Sequence, residues 1–182
     1  MQMIGEKTLP LSRQVVWDAL NDTEVLRICI PGCESITSVG DGKYEVAMQA
    51  AIGPIKARFK GFMQVGNVSA PQDYSLTFEG AGGAAGFARG DAHVRLDAID
   101  ADQTLLQYRS DATVGGKLAQ VGSRLVDAAA RMMADRFFGA FVKHLSDRAA
   151  NDALPVEAAD EVKNPEPAPG KRGIFARLKN AI

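Results

Sequence analysis

Cysteine is almost missing from this chain: Cys29 and Cys33 are the only two among 182 residues. Two thiols build no disulfide framework, and such sparing use fits a reducing cytoplasm. No run of eighteen apolar residues occurs, so no membrane-spanning segment is expected. The opening MQMIGEKTLP lacks the basic and apolar regions of a secretory signal, and export is not expected. Charge of one sign does not dominate. The net charge is −1 and the pI about 6.1, which leaves no global footprint for nucleic acid. Histidine is limited to His93 and His144. Zinc wants four ligands, and neither histidine supplies a regularly spaced pair beside the cysteines. The C-x-x-x-C spacing of Cys29 and Cys33 also differs from a thioredoxin-like C-x-x-C, so a buried residue and a turn residue are the simpler reading. His93 lies on the polar side of its strand, and His144 beside the apolar stripe of a helix. No Ser/His/Asp or Cys/His set can be assembled, and inward positions hold no paired carboxylates. The expected inventory is therefore no catalytic and no metal-binding residue.

What the chain does have is one long helical pattern, Gly115 to Ala150. Leu118, Val121, Leu125, Ala129, Met132, Phe137, Phe141 and Leu145 follow the three-and-four spacing of one helix face, and Val126, Met133 and Phe138 widen it. Lys117, Gln120, Arg124, Asp127, Arg131 and Asp135 form another face, with Asp127/Arg131 and Arg131/Asp135 at i,i+4. Read as one helix, this stretch spans roughly 50 Å and crosses a whole sheet. Gly122 and Gly139 sit inside the pattern, where glycine costs about 1 kcal/mol. Close packing against strands and room for a ligand both account for them.

Before that helix the period is two. Alternation runs through Tyr44–Ile52, Ile55–Val65, Tyr74–Phe78, Ala92–Ala98 and Leu106–Val114, with turns at 40–42 and 53–54. Met1–Thr8 is a further strand whose inward face is ambiguous. Two short helices follow it: Arg13–Leu20 after Ser12, and one capped by Asp22 that stops before Pro31-Gly32. Successive alternating strands imply an antiparallel sheet with one wet and one dry face, and the long helix is the only element large enough to cover the dry one. The expected fold is α+β of helix-grip type: a curved antiparallel sheet around one long C-terminal helix, leaving a cavity between them.

Gly80-Ala-Gly-Gly-Ala-Ala-Gly86 loosely matches a dinucleotide fingerprint, but that mechanism needs a helix N-terminus after the glycines, and a strand pattern follows instead. A bent strand connection is the better reading, with Phe87 as a lid if a cavity opens nearby. Residues 151–170 carry Pro155, Pro165, Pro167 and Pro169 among acidic side chains and read as a linker. Residues 171–182 follow as a basic tail. Ile174, Phe175, Leu178 and Ile182 share a helical face there, beside Lys171, Arg172, Arg177 and Lys179. That combination suits an interfacial helix on anionic lipid, the plainer alternative being a solvated basic end.

Val16-Trp17-x-x-Leu20, Asp22 and Ile30-Pro31-Gly32-Cys33-Glu34 resemble the family of the carbon monoxide dehydrogenase G subunit. The resemblance continues through Gly115-Gly116-Lys117-Leu118, Gly122-Ser123-Arg124-Leu125 and the more specific Ala128–Phe138 segment, covering roughly Met1 to Asp147. It implies a START-like (SRPBCC) domain with a deep hydrophobic cavity over residues 1–150. It also implies an accessory role beside a molybdenum hydroxylase of carbon monoxide dehydrogenase type, peripheral on the inner face of the cytoplasmic membrane. It carries over no catalytic residues. No covalently bound cofactor is expected, and a quinone or other lipophilic ligand is the expected occupant. The expected lining is Met48, Phe59, Met63, Leu76, Phe78, Phe87, Tyr108, Leu125, Met132 and Phe137, with Tyr108 as the hydroxyl suited to a quinone oxygen. The alternatives are a cyclase- or hydrolase-type enzyme on the same fold, and a structural anchor with a collapsed core.

Overall fold

The computed structural model describes residues 1–152. The expected linker beyond residue 152, and the expected membrane-binding tail at 171–182, lie outside the described residues. Strand β1 (Gln2–Leu9) is followed by helices α1 (Arg13–Leu20) and α2 (Thr23–Cys29). Ser12 caps the first, and the Asp22 carboxylate accepts from the Glu24 and Val25 amides to cap the second. Then come β2 (Cys33–Gly40), β3 (Lys43–Ile52), β4 (Ile55–Ser69), β5 (Asp73–Ala81), β6 (Phe87–Ala98) and β7 (Thr104–Gly115). Helices α3 (Lys117–Gln120) and α4 (Ser123–Asp152) complete the described chain.

All seven strands form one antiparallel sheet in the order β1-β7-β6-β5-β4-β3-β2. β1 therefore closes back onto β7, and the ambiguity of its inward face resolves: Met3, Gly5 and Leu9 turn in, while Ile4 stays in solvent. The alternation pattern misses β2. Its residues are mostly exposed with only Ile36 buried, so this edge strand has no periodicity to read.

The expected single helix from Gly115 to Ala150 is two helices. Gly115 still belongs to β7, and α3 ends at Gln120 before Gly122 takes a φ of +91°. An L-residue rarely adopts that angle, so glycine at 122 is explained by the break itself. Close packing does not account for it, since a Cβ there would meet nothing within 4 Å, and room for a ligand does not either, since the residue is exposed and lines no apolar cavity. Gly139 does lie inside α4, but it is exposed and a Cβ would likewise find open space. The thirty residues of α4 extend roughly 45 Å.

The buried face of α4 coincides with the expected stripe only in part. Val126, Ala129, Phe141 and Leu145 are buried, and Met133, Phe137 and Phe138 partly so. Leu125 and Met132 are 46% and 45% exposed. Val126 and Met133, rather than Leu125 and Met132, continue the Ala129, Phe137, Phe141 and Leu145 face at three-and-four spacing, and a neighbour one residue away points about 100° aside. The expected Asp127/Arg131 and Arg131/Asp135 pairs do not form. Asp135 instead receives Lys7 of β1 at 3.0 Å, which ties the helix to the sheet edge.

Two apolar clusters anchor the ends of the sheet. Under α1 and α2, Leu9, Val16, Trp17, Leu96, Leu106 and Phe141 pack together, and the buried Thr104 hydroxyl there donates to Leu11 O at 2.8 Å. At the other end Phe59, Ala85 and Leu118 form a smaller cluster. The backbone of α4 comes nearest to α2, β1 and β3, the flanks of the sheet, rather than to the strands between. The middle of the dry face is left to be filled by something else.

Candidate ligand cavity

Strand register sets which side chains face that unfilled middle. Across the sheet, Met63 pairs with Phe78, Phe78 with Gly90, and Gly90 with Ala112; the next inward row runs Gly61, Gly80, Ala88 and Val114. A third row places Leu76 opposite Ala92 and Ala92 opposite Ser110. Inward positions on β5, β6 and β7 are thus repeatedly glycine, alanine or serine. A sheet floored by such small groups cannot reach the helix above it, and the shortfall is a hollow.

The hollow has two chambers. The first, about 330 Å³, lies between α2, the middle of α4 and the strand ends near Tyr44, Tyr74 and Tyr108. The second, about 420 Å³, extends under α3 and the start of α4, over Met48, Ile52, Phe59, Phe78 and Val114. Ile30, Met63 and Met133 line both, so the chambers share a wall of flexible, apolar side chains. Volumes of this size suit small-molecule ligands.

Seven of the ten expected lining residues are brought together here. Met48, Phe59, Met63 and Phe78 line the second chamber; Met63, Leu76, Tyr108 and Phe137 line the first. Three are not. Leu125 and Met132 lie on the exposed flank of α4, about 100° around the helix from Val126 and Met133, and Leu125 faces the Gly53 turn instead. Phe87 starts β6 in the outward register, is 40% exposed, and lies against Gly115 beneath the Arg89 guanidinium. It lines neither chamber and is no lid. The glycine-rich stretch before it is a tight connection containing a single 3-10 turn, Gly83–Ala85, with Ala85 buried beside Phe59.

Tyr108 also behaves differently from expectation. Its register partner on β1 is Gly5, and its ring lies so close over that residue that a Cβ there would overlap the phenol. Phe138 packs on the ring at 5.7 Å. The hydroxyl consequently sits at the sheet edge. Tyr74 is the one that sequence reasoning passed over, although its place in the Tyr74-Leu76-Phe78 alternation marked it as inward. It is 6% exposed, lines the first chamber, and meets Trp17 edge-on at 5.7 Å. Burial pushes its phenol from 10 up to about 12, so it stays a neutral donor. Pro31 and Ile30, from the loop after α2, are lining residues that no periodicity could reveal.

Of the two cysteines, Cys29 takes the buried place expected, whereas Cys33 is no turn residue but opens β2 opposite Met48. Cys29 is buried and Cys33 half-buried, both free, and burial pushes each thiol upward. His93 is exposed and lies 3.2 Å from the Ser75 hydroxyl on the outer face. Glu34, in the resemblance motif, accepts from Gln49 at 2.8 Å and pairs with Arg58; these contacts hold its carboxyl below the usual range. Among the described residues no group of three or more His, Cys, Asp or Glu could hold a metal ion, and no helix is long and apolar enough to cross a membrane.

Comparison with known proteins agrees with this geometry. The family model for the carbon monoxide dehydrogenase G subunit (CoxG) matches residues 5–146. A conserved protein from Geobacillus kaustophilus is 30% identical, with a TM-score of 0.77 over 81% of this chain and 96% of that one. A START superfamily protein from Mycobacterium smegmatis (12% identity, TM-score 0.66) covers 81% of this chain and 98% of its own. The Zhui aromatase/cyclase from Streptomyces sp. R1128 (12%, TM-score 0.64) covers 84% and 98%. These last two show a shared START-like fold. No curated protein matches.

Proposed function

The chain belongs to the CoxG family, that of the carbon monoxide dehydrogenase G subunit, and on that premise we propose that it is a non-catalytic accessory protein that holds a quinone or similar lipophilic ligand in its cavity. The observation that carries this reading is the pair of adjoining apolar chambers between the sheet and α4. A family named for a component of carbon monoxide dehydrogenase implies a molybdenum hydroxylase of that type as partner. Such an enzyme releases electrons, and the lipid-soluble acceptor of a respiratory chain is quinone. Apolar burial at about 25 cal/mol per Å² drives uptake, and a few polar groups orient the head. The basic, amphipathic 171–182 segment tethers the domain to anionic lipid on the inner face of the cytoplasmic membrane, with the proline-rich segment before it as spacer.

Two other readings remain in play as outcomes. An enzyme of cyclase or hydrolase type shares the fold, yet fold alone assigns no chemistry. A structural anchor needs no ligand and no open chamber. Organic extraction of the protein purified from native membranes, followed by mass analysis, separates them. Recovered quinone supports the carrier; an empty extract favours the anchor.

A further inference from the structure

We propose that the chamber around Tyr74 seats the oxygen-bearing ring of the ligand, the Tyr74 hydroxyl donating to a ring carbonyl, while the adjoining chamber takes the hydrocarbon tail. This assignment rests on the quinone reading above and adds the ligand's orientation to it.

Tyr74 is 6% exposed and, among the described residues, its hydroxyl makes no hydrogen bond, yet that oxygen is not sealed off: the one fully enclosed side-chain oxygen without a hydrogen bond is Glu34 Oε2. An accessible, unpartnered hydroxyl among apolar chamber walls is free to donate to an acceptor that enters. The other hydroxyls of this chamber, on Thr23, Tyr44 and Tyr108, belong to half-buried residues, which leaves that of Tyr74 on the most buried of the four residues. Asn21 donates to Trp17 O at 2.8 Å, and the Tyr108 hydroxyl lies over Gly5 at the sheet edge. Ser110 donates to Asp91 O at 2.9 Å. Lys60 and Glu79 border the second chamber only from outward strand positions.

The two chambers are therefore chemically unlike. One presents a buried, neutral donor; the other presents thioether, aliphatic and aromatic hydrocarbon. Because Ile30, Met63 and Met133 belong to both walls, one molecule with an acceptor-bearing head and a long apolar tail can occupy both. Trp17 fixes the Tyr74 ring edge-on and is the only tryptophan in the chain. A quinone ring seated against Tyr74 is one side chain away from the sole indole, near enough for its arrival to be visible as quenching.

The test uses the full chain titrated with decylubiquinone, read by Trp17 fluorescence, with decylbenzene as a competitor that has the tail but no carbonyl. Tyr74→Phe is expected to weaken decylubiquinone on the order of tenfold while leaving decylbenzene unchanged. In the wild type, the infrared carbonyl band of bound ¹³C-labelled quinone is expected below its position in hexane. Equal decylubiquinone affinity in the two proteins overturns the seat, and so does a carbonyl band at its hexane position. The infrared result decides the matter even if Tyr74→Phe loses both ligands through altered packing. A wild type that binds decylbenzene but not decylubiquinone instead overturns the quinone reading itself.

Discussion

Gly5 and Tyr108 face each other across β1 and β7, and the phenol ring occupies the space a side chain at position 5 would need. Replacing Gly5 with alanine should push the ring toward Phe138 and cost about 1–3 kcal/mol, the usual range for forcing an extra group into a packed site. Urea unfolding of Gly5→Ala checks this. Unchanged stability would mean that the ring swings away freely and leaves the first chamber as it was.

The two glycines of the C-terminal helical region should respond in opposite directions. Gly122→Ala forces an L-residue to φ +91° and is expected to lose about 1–2 kcal/mol. Gly139→Ala meets open space on an exposed helix surface and should gain about 0.5–1 kcal/mol. Thermal unfolding of both variants gives the comparison, and neither substitution should alter ligand uptake.

Enlarging the small inward side chains should fill the hollow from the sheet side. Ala92→Leu intrudes on the first chamber and Ala112→Leu on the second. Each is expected to weaken decylubiquinone binding at least fivefold while holding stability within about 1 kcal/mol, because a cavity rather than packed core receives the added carbons. Competition by decylbenzene should suffer more from Ala112→Leu, on the view that the tail lies there.

Alkaline pH should expose the burial of Tyr74. An unfolded phenol ionises near 10, whereas the folded one keeps its proton up to about 12. Between those values the folded chain binds more protons than the unfolded chain, so stability falls as pH rises. Tyr74 contributes no such slope below pH 10. The loss should reach about 2–3 kcal/mol by pH 12 and be missing from Tyr74→Phe, which urea titrations across pH 9–12 would reveal. Ligand affinity through this hydroxyl should stay level from pH 6 to 9.

Removing residues 171–182 should release the protein from anionic vesicles and leave thermal unfolding unchanged. Phe175→Asp with Leu178→Asp should act likewise by placing charge on the inserting face. Lys179→Ala alone should cost about 1 kcal/mol, with the effect fading as salt is added. Equal sedimentation of the truncated and full chains would rule out the tail as the anchor.

Local chemistry in the sequence determined much of this protein. Ser12 and Asp22 place their helices, because a side-chain oxygen must satisfy the first free amides. The period-two runs of β3 to β7 determine which residues face inward, since a strand cannot put neighbours on one face. Only the tertiary structure decided how those inward residues meet. Small groups on β5, β6 and β7 open a cavity because strand register aligns them beneath a helix held at the flanks; no single strand contains that fact. Which flank of α4 meets the sheet was decided there too: Val126 and Met133 turn inward while Leu125 and Met132 face out, although all four are apolar and adjacent in spacing. The choice of hydroxyl was decided likewise. Tyr108 and Tyr74 are both inward residues on alternating strands, but Gly5 draws one ring toward the sheet edge while Trp17 holds the other at the chamber wall. That difference comes from partners more than fifty residues away in the chain, which alternation cannot encode.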